Sequence, residues 1–133
     1  MKKLTLLLFL VFATTMFAQV TTKPMIIQQG YDGEVTIIFN PNEGSGGMKD
    51  ATQCYAHTGV TYDGKSWQNA NEKWRDGLEK YKMTKNADGN WELKITPNIH
   101  GYYGVDASKE ITQLCFVFND GPGGSKEGKT VEN

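Results

Sequence analysis

"EVTIIFNP", residues 34–41, decides the fold class. In an extended chain successive side chains point to opposite faces, so Val35, Ile37 and Phe39 share one face and Glu34, Thr36 and Ile38 the other. Pro41 cannot donate to a strand ladder, and "NEGSGG" behind it closes the strand with a loop. The same alternation returns downstream. "WELKITP" (91–97) sets Trp91, Leu93 and Ile95 on one face and Glu92 and Lys94 on the other. "ITQLCFVF" (111–118) is the most apolar strand, with Leu114, Phe116 and Phe118 in register. "QCYAHTGV" (53–60) is a further β-type run. "EKYKMTK" (79–85) reads as a strand joined to "WELKITP" through the tight turn "NADGN". "GYYGV" (101–105) reads as a turn or short edge piece, and "NDGPGGSKEG" (119–128) as a turn-rich loop. Past the leader no stretch holds helical periodicity beyond about one turn, and "NANEKWRDGLEKY" (69–81) offers one short helical turn at most. Short alternating strands with Gly- and Asn-rich connections predict an all-β antiparallel sandwich.

The ends of the chain read differently. Met1-Lys2-Lys3, the apolar run Leu4 to Phe12 and the small residues leading to Ala18-Gln19 form a secretory signal peptide cleaved after Ala18. The apolar run falls short of the roughly 20 residues that span a bilayer, so an exported protein (extracellular, cell-surface or periplasmic) is expected, with no membrane insertion after cleavage. Removing Lys2 and Lys3 with the leader takes the net charge from −1 to −3. A mildly acidic exported chain is a poor match for nucleic acid or anionic membranes. Residues 19–33 form a polar lead-in, and 34–133 a single domain. After the 119–128 loop another strand is due, but "KTVEN" is short and polar, so the sandwich is expected to lack its final strand, as in a truncated module.

Catalytic patterns are missing. The carboxylates lie in turns and on solvent faces rather than as a spaced pair in a pocket, which a glycosidase requires. No serine sits in a Gly-x-Ser-x-Gly elbow, and "GPGGSK" lacks the order of a phosphate loop. No cysteine–histidine cluster has metal-ligand spacing. A binding module that is not itself an enzyme is therefore expected, with no cofactor and no metal.

"CYAHTGVTYDGKSWQNANEKW" (54–74) carries the candidate site. Tyr55 and His57 are two apart on a strand and share a face, while the small Cys54 and Ala56 point the other way, toward a core. Trp67 follows in a loop with polar neighbours on both sides, which favours exposure. It can return over the Tyr55–His57 face, giving a short curved platform of rings. Trp74 either joins that platform or anchors its loop to the sandwich. Sugars present C–H faces that pack on aromatic rings and hydroxyls that seek hydrogen bonds at the ring edge. Trp, Tyr and His supply both with few torsions to fix.

The ordered elements "CYAHTGV", tryptophan loop, "DGNWELKI", "GYYGV" and "LCFVFNDG" resemble the starch-binding modules of carbohydrate-binding module families 25 and 26, as attached to secreted α-amylases of Bacteroidetes-type bacteria. The resemblance runs from about Glu34 to Lys129. It implies an immunoglobulin-like β-sandwich that binds α-1,4-glucan without cleaving it and holds a tethered glycoside hydrolase or the cell surface close to starch. It also implies sugar contacts from Tyr55, His57 and Trp67, with polar loop contacts for which Asn119 and Asp120 are candidates. Where many members continue with Trp-Asp-Asn-Asn, this chain reads "PGGSKEG". A shallow platform of this kind predicts weak binding, about micromolar to millimolar, or roughly −4 to −8 kcal/mol. An alternative of another class is a structural or protein-interaction immunoglobulin-like domain of a secreted or surface assembly, using its aromatics at a protein interface. If Cys54 faces the core with Leu114, Phe116 and Phe118, then Cys115 faces away, and the two side chains diverge, which disfavours a disulfide.

Overall fold

A computed structural model describes residues 19–129; the expected leader at 1–18 lies outside the described residues, as do residues 130–133. Among the described residues eight strands follow one another: β1 (Val20–Lys23), β2 (Val35–Phe39), β3 (Tyr55–Tyr62), β4 (Lys65–Gln68), β5 (Thr84–Lys85), β6 (Trp91–Ile95), β7 (Gln113–Asn119) and β8 (Glu127–Gly128). They form two antiparallel four-stranded sheets, ordered β1-β2-β6-β5 and β4-β3-β7-β8. The domain is a β-sandwich.

Register explains why the sheets face one another. Val35 pairs with Ile95, Ile37 with Leu93 and Phe39 with Trp91, so the two apolar triplets of β2 and β6 line one face, and all six residues are buried. On the other sheet Ala56 pairs with Phe118, Thr58 with Phe116 and Val60 with Leu114, which makes the opposing inner face. The rings of Phe39 and Phe118 stack at 3.9 Å between centroids and join the two layers. Thr58 is the polar residue on this inner face. Its hydroxyl lies 2.7 Å from the Cys115 carbonyl oxygen and 2.7 Å from the Tyr103 hydroxyl, so its burial leaves no unmet bond. The cysteines diverge as the alternation requires and are free. Cys54 Sγ lies 3.6 Å from Met83 Sδ in the core, and Cys115 Sγ lies 3.6 Å from Thr61 Oγ1 on the outer face.

Five segments differ from expectation. The 19–33 lead-in contains β1, a full strand on the edge of β2. The segment 79–85 is not one strand. Glu79–Tyr81 forms a 3₁₀ turn, Lys82 bridges Tyr55 in one sheet, and only Thr84–Lys85 joins the other. The chain changes layers here, so the alternation of buried Tyr81 and Met83 is real but is shared between two sheets. "GYYGV" belongs to a one-turn helix, α1 (Ile99–Tyr103), started by the Asn98 side chain accepting from Gly101 N at 2.7 Å and ended at Gly104 in a left-handed conformation (φ 66°). The start of the tryptophan loop is a hairpin: β3 and β4 are joined by Asp63-Gly64, both with positive φ (51° and 71°), the requirement of a type I′ turn. The 119–128 loop is not all loop: it ends in β8, two residues paired with Phe118 and Asn119.

Candidate functional site

The outer face of β3 and β7 carries Tyr55, His57, Gly59 and Thr61 opposite Asn119, Val117, Cys115 and Gln113. Residues 67–77 cross over this face. Gly59 permits the crossing: a Cβ there would stand 2.9 Å from the Gln68 carbonyl oxygen and 3.0 Å from Ala70 Cβ. The crossing brings two indoles to one imidazole. The Trp67 ring lies 5.9 Å from His57, tilted by 34°, and the Trp74 ring lies 5.1 Å away, edge-on at 64°. Both indoles remain open to solvent, Trp67 at 44% and Trp74 at 43% exposure. Trp74 therefore joins the platform.

Three side chains hold the indoles in place, and the sequence did not single them out. The Asn71 amide accepts from Thr58 N (3.0 Å) and donates to the Ala56 carbonyl (3.2 Å), doing for the edge of β3 what a neighbouring strand would do after β4 has ended. Asn69 donates to the Tyr103 carbonyl (3.0 Å) and accepts from the Tyr62 hydroxyl (3.1 Å), fastening the crossing to the end of α1. Arg75 pairs with Asp120, donates to the Lys126 carbonyl (2.9 Å) and lies 5.6 Å from the Trp74 ring centre. The backbone of this segment is unusual. Trp67 (φ 60°), Asn69 (φ 54°) and Arg75 (φ 58°) all occupy the left-handed region. That conformation costs about 1–3 kcal/mol for each non-glycine residue and concentrates at functional sites.

Other expected contacts take different roles. Tyr55 shares the outer face with His57 but is not part of an exposed platform: it is only 8% exposed, because Gly121 lies against it, where a Cβ would approach Tyr55 Cε2 to 2.8 Å. Asn119 is 2% exposed, and its side-chain oxygen accepts from Gly121 N at 2.9 Å, so it shapes the loop rather than facing a ligand. Asp120 is likewise engaged, accepting from Arg75 and from Lys126 N. Burial alone would raise its carboxyl; the hydrogen bonds from Arg75 and from the loop backbone outweigh that and hold it below the usual range.

Electrostatics at the centre are simple. Burial lowers the His57 pKa from 6.5, and the nearby Asp76 carboxylate opposes this only in part, so His57 is neutral at neutral pH. Neither imidazole nitrogen has a hydrogen-bond partner among the described residues, and Nδ1 is buried. The site offers two half-exposed indoles and a neutral imidazole against both.

The family described as a domain of unknown function (DUF8578) matches residues 25–126, a span that contains the whole platform. The chain belongs to this family. No curated protein matches the chain. The matched span also takes in the supports just described: Asn69, Asn71, Arg75 and Asp120.

Proposed function

We propose that this chain is a non-catalytic carbohydrate-binding module that takes α-1,4-glucan on the Trp67–His57–Trp74 platform and, after export, keeps a tethered glycoside hydrolase or the cell surface close to starch. The observation that carries the reading is the pair of half-exposed indoles that both approach one imidazole, at 5.9 Å and 5.1 Å between ring centres. Exposed tryptophan is costly unless a partner covers it, and the two indoles are inclined to the imidazole by different angles, which suits a curved glucan better than a flat cellulose surface. The left-handed backbone at Trp67 and Arg75 supports a site whose position has been favoured over local ease of folding. The strand order supports the resemblance to starch-binding modules. Lettered along the chain, β1-β2-β6-β5 against β4-β3-β7-β8 reads A-B-E-D against C′-C-F-G, an immunoglobulin-like arrangement.

The test is native electrophoresis through gels with and without soluble starch, using the protein, Trp67→Ala and Trp74→Ala, with hydroxyethyl cellulose as control. Retardation by starch alone, reduced in both variants, is the expected result. Unchanged mobility of the folded protein would reject glucan binding and favour a protein interface at the same rings.

A further inference from the structure

β5 stops short of the length of β6. It pairs only Thr84 with Glu92 and Lys85 with Trp91. Lys82, which would come opposite Lys94, bridges Tyr55 in the other sheet instead, and Met83 N donates to the Cys54 carbonyl there (2.9 Å). In an antiparallel ladder the N–H and C=O of one residue point to one side and those of the next residue to the other. Asn86 N donates to the Asn90 carbonyl at 2.8 Å, so the amide groups of Asn90, Glu92 and Lys94 all face the β5 side. At Lys94 no strand meets them. A hollow of about 470 Å³ opens where the two chains part, and Lys82 and Lys94 both line it.

The charge around this notch is one-sided. Lys80, Lys82, Lys85 and Lys94 stand against Glu79 and Glu92, in a chain whose net charge is −1. Glu92 is engaged with Asn86 Nδ2 (2.7 Å), and Glu79 reaches Lys82 only at 3.8 Å. Lys94 has no ion-pair partner among the described residues. Lys80 Nζ is fixed in place: it donates to the Tyr102 carbonyl (2.6 Å) and lies 4.7 Å from the centre of that residue's ring. Lysine on a strand edge also guards against unwanted pairing. A guard, however, needs neither a hollow nor four like charges gathered round it.

We propose that the notch receives an acidic, extended segment of a partner protein, which continues the sheet beside β6 at Lys94 while its carboxylates meet the lysines. Two separate features name this occupant. The open strand edge suits a peptide, which offers N–H and C=O groups at strand spacing, and the lysines suit one that carries carboxylates. None of the platform's rings lines the notch, so the proposal stands whether or not those rings bind glucan.

The test is titration with a labelled peptide of alternating Glu and Thr, followed by anisotropy and by amide shifts in ¹⁵N spectra of the protein. Binding in about the micromolar to millimolar range is expected, with shifts at Thr84, Lys85 and Lys94 and none at the Trp67 and Trp74 indoles. Replacing Glu by Gln in the peptide should weaken it about tenfold. Replacing Thr by Pro, which keeps the charge and removes backbone N–H groups, should do the same. The exposed pair Lys82→Glu and Lys94→Glu together should lose about tenfold or more while the tryptophan emission stays that of the parent. Equal binding of the Pro peptide would show an anion site without strand pairing. Tighter binding of a sulfated oligosaccharide at the same amides would show a site for acidic glycan. Absence of any shift at millimolar Glu peptide would leave the lysines as edge guards only. Each of these three results overturns the proposal.

Discussion

His57 is easier to keep neutral in the folded chain than in the unfolded one, because burial lowers its pKa from 6.5 and Asp76 opposes this only in part. As pH falls below 6.5 the unfolded chain takes up the proton first. Stability is therefore full above that value and declines until the folded imidazole also titrates. Between about pH 7.5 and about pH 5 the melting temperature should drop, and His57→Gln should flatten the dependence. Gly59 makes a different demand at the same scale. A methyl group there would press on the backbone of residues 67 and 68, at 3.2 Å and 2.9 Å, which cannot swing aside as a side chain can. Gly59→Ala should cost about 1–3 kcal/mol in urea unfolding and shift the tryptophan emission, since both indoles ride on the displaced segment. Trp67 and His57 could be picked from the sequence because an aromatic in polar surroundings and a strand's two-residue period are local signals. Tyr55 could not, because what covers it is a turn at Gly121, distant in sequence, whose approach no local pattern announces; the Asn119 bond to Gly121 N, two residues on, is a local turn signal that Asn-Asp-Gly does carry.

Asn71 acts at the scale of an element, since one side chain completes the edge of β3 where β4 stops. Asn71→Ala leaves a strand N–H and a carbonyl without partners, at a cost of about 1–3 kcal/mol. Hydrogen exchange should show faster exchange at Thr58 N and across residues 70–78, with the core of β2 and β6 unchanged. Some elements were readable from particular residues and some were hidden. Asp63-Gly64 is a strong hairpin signal, yet the Trp and Asn residues after it look like loop, and the four residues of β4 are too few to show a period. Asn98 and Gly104 bracket α1 as a start and a stop, but one turn of helix between them leaves no periodicity to find. The alternation in "EKYKMTK" was visible; that it is divided between two sheets is a property of the layers and not of the segment.

For the whole molecule, stability rests where the two sheets touch. Phe118 is fully buried and stacks on both Phe39 and Phe116. Phe118→Ala should remove about 3–5 kcal/mol, comparable to the entire stability of many small domains, and calorimetry should find the variant largely unfolded at physiological temperature. The sandwich was readable because Val35, Ile37 and Phe39, then Trp91, Leu93 and Ile95, keep the strand period without interruption, and β1 was missed because Val20–Lys23 alternates only half-buried and exposed residues. The left-handed residues Trp67, Asn69 and Arg75 carry one last consequence, for anyone who would evolve or engineer this domain. Glycine would relax the backbone at each of them, but every such exchange deletes an indole, an amide or a guanidinium on which the platform depends. Selection on backbone ease alone would pull these positions toward glycine, and it would undo the arrangement of rings and fasteners that sets this face of the sandwich apart.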